Sequence, residues 1–128
     1  MSATPLIELH VPVEPASVSI VRTSVASLAA RYDFTLDRLE DLRLATNEAC
    51  ALLIGLTGTA GATLTAVVES PAQGSLRVDL RRDGSSANLP SGDDFAWTVL
   101  EALVDQVTVT DEAGSVHVIL TASGGLEL

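Results

Sequence analysis

The segment from Leu36 to Leu56, LDRLEDLRLATNEACALLIGL, constrains the fold of this chain more than any other stretch. Its apolar residues recur at intervals of three and four, a pattern that predicts a long amphipathic helix with one face on a core. The apolar positions are Leu39, Leu42, Ala45, Ala49, Leu53 and Leu56. Thr35 precedes the helix as a candidate N-cap, and Glu48 projects from the flank of the apolar face, one turn before Leu52. The fold must therefore bury this face and leave Glu48 at its margin.

The rest of the chain carries strand patterns and two further helix patterns, in the order strand, helix, helix, two strands, helix, two strands. The predicted strands are Leu6 to Val11, Thr63 to Glu69, Leu76 to Leu80, Val107 to Thr110 and Ser115 to Thr121, and the other helices run from Pro15 to near Tyr32 and from Phe95 to Gln106. The last six residues, from Ser123, are predicted to form a frayed tail. This order favours an α+β fold, a two-layer α/β sandwich in which helices cover one face of a mixed, mostly antiparallel sheet. A length of 128 residues suits one domain spanning residues 1–128.

Charge excludes several classes of function. Seventeen acidic residues oppose seven basic ones, so the formal net charge is −10. A surface of that sign repels phosphate groups, which argues against nucleic acids and membrane surfaces as partners. All seven basic residues are arginine, and the absence of lysine excludes a P-loop lysine and a Schiff-base lysine. With one cysteine and two histidines, no metal site is expected from protein ligands of these types.

The single cysteine, Cys50, lies inside the predicted helix and has no partner for an internal disulfide. We expect a small packing residue in a reducing compartment. No apolar run approaches the roughly 20 residues needed to cross a bilayer, and no signal peptide is visible at the first residues. These observations predict a soluble cytoplasmic protein.

Three stretches of the sequence resemble one protein family. LEDLRLATNEAC resembles the first nucleotide-binding box of the Bergerat-type (GHKL) ATPases, specifically the anti-sigma-factor serine kinases. FAWTVLEALVDQVTVTDEAGSVHVIL resembles the C-terminal helix, hairpin and last strand of that family, and VPVEPASVSIVR resembles its first strand and helix. The resemblance implies an α/β sandwich that dimerises and holds a sigma factor away from RNA polymerase. Many members also use Mg-ATP to phosphorylate an antagonist protein on serine.

The resemblance implies a catalytic role at Glu48, which matches the glutamate that orients or deprotonates the attacking hydroxyl. Four residues later the family has an asparagine that holds Mg²⁺ on the ATP phosphates, and this chain has Leu52. Magnesium takes oxygen ligands, and leucine offers none. Each 1.4 kcal/mol of lost transition-state stabilisation costs about tenfold in rate, so this replacement predicts a large loss of kinase activity.

The two glycine boxes that the resemblance implies are also altered. The adenine-binding box is an aspartate, one spacer and a glycine, and the nearest match is Asp83 followed directly by Gly84, without the spacer. Turn chemistry alone also accounts for an aspartate beside a glycine. The later phosphate-binding box is reduced to Gly92 before Asp93 and Asp94, whose carboxylates repel phosphate. Nucleotide binding at these weak candidate positions is therefore expected to be poor.

The first helix is the expected surface for the sigma factor. Its exposed face is predicted to carry Ser17, Arg22, Thr23 and Ser27, and its buried face Val18, Val21, Val25, Leu28 and Tyr32. By the resemblance, Arg22 matches an arginine that touches the sigma factor, and Val18 stands where the family has an acid. A solvated arginine explains Arg22 equally well. A strongly acidic protein suits a partner with basic segments, because complementary charge speeds encounter.

Two main hypotheses follow. The first is an anti-sigma factor that sequesters an alternative sigma factor and answers to an anti-anti-sigma antagonist, with a degenerate ATP site, weak or no kinase activity and no cofactor. The alternative is an active serine kinase using Mg-ATP, in which Glu48 is the base and Asp41, Asn47 or a loop residue supplies the missing oxygen. Asn47 lies about 100° round the helix from Glu48, which argues against it. A third possibility is a sensor that binds a small molecule in the vacated pocket.

Overall fold

The computed structural model describes residues 5–56, 58, 62–84, 95–112 and 114–125. Its elements are β1 Ile7–Pro12, α1 Ser17–Arg31, α2 Leu36–Ile54, β2 Thr63–Glu69, β3 Ser75–Asp83, α3 Phe95–Leu103, β4 Gln106–Glu112 and β5 Ser115–Ser123. The predicted order of strands and helices is confirmed. Thr35 caps α2 as predicted, because its side chain accepts a hydrogen bond from the backbone N–H of Arg38 at 3.3 Å.

The five strands form one sheet in the order β1-β2-β3-β5-β4, and every neighbouring pair is antiparallel. The sheet is thus more uniform than the mixed sheet expected from the sequence. A helical crossover through α3 brings β4 back in the same direction as β3, but β5 lies between them. Because β5 pairs antiparallel with both, no parallel neighbours remain.

The core lies between the helices and one face of the sheet. Alternation along the strands places fully buried side chains on that face, including Leu64, Leu80 and Leu120. On α2 the predicted apolar face is buried at Leu42, Ala45, Ala49 and Leu53, and Leu39 and Leu56 pack at its edge. The buried face also includes Thr46 and Cys50, so it is wider than the apolar pattern indicates.

The face of the sheet opposite the helices carries paired charges. Arg77 contacts Glu69 at 2.9 Å, and Arg81 contacts Asp79 at 3.0 Å. The hydrogen bond to Asp79 raises the pKa of the Arg81 guanidinium. His117 lies 3.4 Å from Asp79 on the same face. Arg77 is therefore balanced across the strands by Glu69, and Arg81 along β3 by Asp79.

The first helix differs from the prediction at its start. It begins at Ser17 rather than Pro15, after a turn in which the Ser17 N–H donates to the Glu14 carbonyl. Ser17 is 2% exposed, so its predicted place on the solvent face is wrong. The buried stripe runs at intervals of four through Ser17, Val21, Val25 and Ala29. The small side chains at both ends of this stripe, Ser17 and Ala29, let the helix approach the core closely. The sequence pattern of larger apolar residues does not reveal this close approach.

The third helix ends earlier than predicted. It stops at Leu103, and Gln106 belongs to β4, because the Asp105 N–H already donates to the Thr121 carbonyl of the sheet. Leu100 is fully buried, but Phe95 is 83% exposed. The side of α3 that carries Leu100 therefore faces the core, whereas Phe95 at the start of the helix faces solvent.

The predicted frayed tail is ordered over residues 123–125. Ser123 ends β5, and Gly124 is buried against Phe34. The Gly124 N–H donates to the Gly74 carbonyl at 2.8 Å, and its own carbonyl accepts from the Thr35 N–H at 2.9 Å. These backbone bonds join residues far apart in sequence, so a local pattern does not reveal them. Residues 126–128 lie outside the described residues.

Cys50 is fully buried in α2, which confirms its predicted packing role. Burial raises the pKa of its thiol to about 12, so almost no thiolate exists near neutral pH. We therefore expect iodoacetamide to label Cys50 at pH 8 only when the chain is unfolded. Mass spectrometry before and after addition of urea measures this difference, and equal labelling rates in both states would contradict the burial of Cys50.

Within the described residues, no helix is long and apolar enough to cross a membrane.

Candidate functional site

The candidate catalytic residue, Glu48, lies half-buried on the flank of α2. Asp41 is two turns earlier on the same flank, where Arg38 contacts both Asp41 at 3.5 Å and Asp105 at 3.2 Å. Asp105 follows α3, so this flank of α2 faces the side of the molecule where α3 packs. No hydrogen bond or ion pair to another described residue holds the Glu48 carboxylate. A rigid helix thus presents an acidic group whose oxygens are unengaged.

The position that would supply a magnesium ligand is apolar. Leu52, one turn after Glu48, is half-buried and packs against the core cluster. Among the described residues, no group of three or more histidine, cysteine, aspartate or glutamate side chains could hold a metal ion. Next to Glu48, this flank therefore offers Mg²⁺ the hydrocarbon side chain of Leu52, and the other carboxylate on the flank, Asp41, lies two turns away.

Asn47 lies about 100° round α2 from Glu48, on the side that faces α1. Its Oδ1 accepts a hydrogen bond from Nη1 of Arg22, on α1, at 2.8 Å. The amide oxygen is therefore engaged at the seam between the two helices. This contact agrees with the sequence argument against Asn47 as the missing magnesium ligand.

The candidate adenine-box residue Asp83 lies on the outer side of the sheet rather than over the core. Its side chain is exposed, and Oδ1 accepts a hydrogen bond from the Thr63 N–H at 2.7 Å. This contact ties the end of β3 to the start of β2. Gly84 follows in the left-handed region, at a φ of 67°. Gly92, Asp93 and Asp94 lie outside the described residues.

The residue missed by the sequence reasoning is Arg82. It is 4% exposed on the inner face of the sheet, where its Nη1 donates to three carbonyls at the end of α2. The distances are 2.6 Å to Leu53, 3.1 Å to Ile54 and 2.6 Å to Leu56. The last carbonyls of a helix lack intrahelical partners and carry the negative end of its dipole. The buried guanidinium of Arg82 therefore supplies hydrogen bonds to carbonyls at the C-terminus of α2.

Counting back from Gly84 with Asp83 as the spacer, the aspartate of the adenine box would fall at Arg82. Side chains alternate between the two faces of β3, and Leu80 faces the helices, so residue 82 faces them too. This alternation is the sequence signal that could have identified Arg82. A guanidinium only donates hydrogen bonds, whereas a carboxylate only accepts them. With this spacing, residue 82 would donate hydrogen bonds where the aspartate of the box accepts them.

Gly58, which follows α2 in the chain, lies close to this arginine. A Cβ built at Gly58 meets Nη2 of Arg82 at 2.7 Å and the Gly84 carbonyl oxygen at 2.5 Å. Only glycine allows the chain to approach this closely. The end of α2, residue 58 and the end of β3 are therefore packed tightly around the guanidinium.

The candidate partner-binding residues lie on the side of α1 that faces α2. Arg22 is half-buried and held by Asn47, and Val18 is half-buried and packs against the core cluster. The outward side of α1 carries Ile20, which is 52% exposed. A shallow groove there is lined by Ser19, Ile20, Thr23, Ser24 and Ser27.

In the described ranges, three helices on one face of a five-stranded antiparallel sheet form a two-layer α/β sandwich, consistent with a GHKL-type fold. The chain is 32% identical over 123 residues to anti-sigma-F factor RsbW of Mycobacterium tuberculosis, an alignment that covers 91% of this chain and 72% of that relative. The chain belongs to the RsbW family.

Two further comparisons agree with this assignment. The chain is 46% identical over 44 residues to serine-protein kinase RsbW of Bacillus velezensis, which covers 34% of this chain and 28% of that relative. A solved structure of the RsbU and RsbW domains of a Mycobacterium tuberculosis protein has the same fold, with a TM-score of 0.72 at 16% identity. That match covers 94% of this chain and 33% of the solved one. No protein-family model matches the chain.

Proposed function

We propose that this chain is an anti-sigma factor that sequesters an alternative sigma factor by protein–protein binding and has little or no kinase activity. Membership of the RsbW family supports the sigma factor as partner, since the relative from Mycobacterium tuberculosis is named an anti-sigma factor. The buried contact of Arg82 with the end of α2 is the observation that carries the second half of the proposal.

The nucleotide site is proposed to be degenerate for two independent reasons. Arg82 places a positive donor where the family box has a carboxylate that accepts, and its guanidinium already has backbone partners. Leu52 removes the oxygen that the family uses for Mg²⁺. An adenine base would have to displace the buried arginine, and its metal would lose a ligand. Glu48 then remains as a carboxylate without a reaction to catalyse.

The proposed docking surface is α1, with Arg22 as the principal contact and Val18 beside it. The remainder of the protein is strongly acidic, which favours a sigma factor whose exposed segments are basic. We further propose that the protein works in the cytoplasm as a single domain, forms a homodimer and is released by an anti-anti-sigma antagonist.

A binding panel tests the sequestration. Each sigma factor encoded in the source genome is purified and titrated against the immobilised chain, with and without Mg-ATP, and light scattering measures the stoichiometry and the dimer. We expect one alternative sigma factor to bind with unchanged affinity when Mg-ATP is added. Failure of every sigma factor to bind would overturn the proposed function.

A second experiment separates this proposal from the alternative of an active kinase. Calorimetry with Mg-ATP and transfer of labelled phosphate to a candidate antagonist are measured for the natural chain and for Glu48→Ala. We expect no metal-dependent binding in the micromolar range and no phosphate transfer by either protein. Transfer that Glu48→Ala abolishes would establish the kinase instead.

A further inference from the structure

Arg22 differs from the other arginines of the chain in the kind of group that contacts its guanidinium. Four arginines contact carboxylates: Arg38, Arg43, Arg77 and Arg81. Arg82 is buried against backbone carbonyls, and Arg31 is exposed at the end of α1. Among the described residues, Arg22 is the arginine held by a neutral side chain, the amide of Asn47. In a chain with ten more acids than bases, Arg22 is a half-buried cation that no carboxylate in the described part of the chain contacts.

The contact with Asn47 fixes the guanidinium in place. Arginine has five N–H donors in a rigid plane, and Oδ1 of Asn47 occupies one nitrogen, Nη1, at 2.8 Å. The acceptor stands on α2, which is anchored in the core by side chains such as Leu42 and Leu53. An arginine side chain loses up to about 2 kcal/mol of rotamer entropy when it is ordered, and a preformed contact removes part of that cost from binding.

We infer that Asn47 is a positioning residue for partner binding: it holds Arg22 at the seam between α1 and α2 with the positive charge of the guanidinium uncompensated. The inference rests on the proposed function, because it assumes that α1 docks the sigma factor. It adds a role for α2, because Asn47, beside Glu48, then orients a side chain of the docking surface on α1. An aspartate at position 47 would hold the same nitrogen but would neutralise the charge that the partner meets.

A double-mutant cycle tests the inference with the sigma factor that binds in the panel. The proteins are the natural chain, Asn47→Leu, Arg22→Ala and the double variant, each first checked by thermal melting. We expect Asn47→Leu to weaken binding by about tenfold in the natural background, equivalent to 1.4 kcal/mol, and to have no further effect when residue 22 is alanine. Arg31→Ala, at the exposed end of the same helix, is the control and should change the affinity by less than about twofold.

A purely structural role for Asn47 predicts a different result, in which the losses add in the double variant. Additive losses would overturn the inference while leaving the proposed function intact. Binding of no sigma factor by the natural chain would remove the proposed function itself, so the two failures are distinguishable.

Nuclear magnetic resonance tests the positioning without a partner. The order parameter of the Arg22 Nε–H should exceed that of Arg31 in the natural chain and fall to the same low value in Asn47→Leu. Asn47→Asp keeps an acceptor oxygen at this place and should retain the order of Arg22. Equal mobility of Arg22 and Arg31 in the natural chain would overturn the inference.

Discussion

Replacing Arg82 with methionine is expected to lower the free energy of unfolding by about 3 kcal/mol, since buried polar groups left without partners cost roughly 1–3 kcal/mol each. Methionine fills much of the space of the arginine stem but donates no hydrogen bond. The carbonyls of Leu53, Ile54 and Leu56 then lose their common donor at the end of α2. The negative end of the helix dipole also loses the adjacent cation. Urea unfolding measures the change, which should appear as a lower midpoint with an unchanged slope.

Arg77→Met on the same strand is the matched control for this change. Arg77 lies on the outer face, where its side chain is 40% exposed and paired with Glu69. Exposed ion pairs contribute about 0–1 kcal/mol, so this variant should be nearly as stable as the natural chain. Similar midpoints for the two variants would show that the contact of Arg82 with the helix terminus does not stabilise the fold.

Replacing Leu42 with alanine is expected to cost about 2–5 kcal/mol, the range measured for fully buried leucines. Leu42 is fully buried in the middle of the α2 face, among the largest buried side chains of the core. Truncation removes favourable transfer energy and leaves a cavity that the surrounding helices and sheet fill only in part. At roughly 3–5 °C per kcal/mol for a chain of this size, the melting temperature should fall by about 6–25 °C.

Leu44→Ala provides the control, because Leu44 lies two residues further along the same helix and is 45% exposed. Both changes alter helix propensity equally, so the difference between them reports burial alone. Leu44→Ala should change stability by no more than about 0.5 kcal/mol. Equal melting temperatures for the two variants would contradict the observed orientation of α2.

The elements and the core could be predicted because they depend on local patterns. The period of the apolar residues in α2 and the alternation of Leu76, Val78 and Leu80 in β3 are properties of short segments. Prediction was less accurate where long-range contacts decide the structure. Ser17 is buried because α1 approaches the core closely, and Gly124 is ordered by bonds to Gly74 and Thr35.

The candidate site was also predicted only in part. The positions of Glu48 and Leu52 one turn apart on one flank follow from helix geometry, and the structure places both there. The sequence match selected Asp83 for the adenine box, but the side chain that reaches the end of α2 is Arg82. The two residues are adjacent, and only the pleat of β3 determines which one faces the helices.

The sequence by itself determined which segments are helices and strands, which face of α2 is apolar and that Glu48 stands at its margin, because these follow from periodicities of 3.6 and 2 residues. Tertiary structure decided that β5 lies between β3 and β4, that Arg82 caps α2 and that Asn47 holds Arg22. The two arginine contacts join residues 25 to 29 positions apart, and each depends on how whole elements pack. A periodic pattern records which face a residue occupies, but the packing of elements selects its partner.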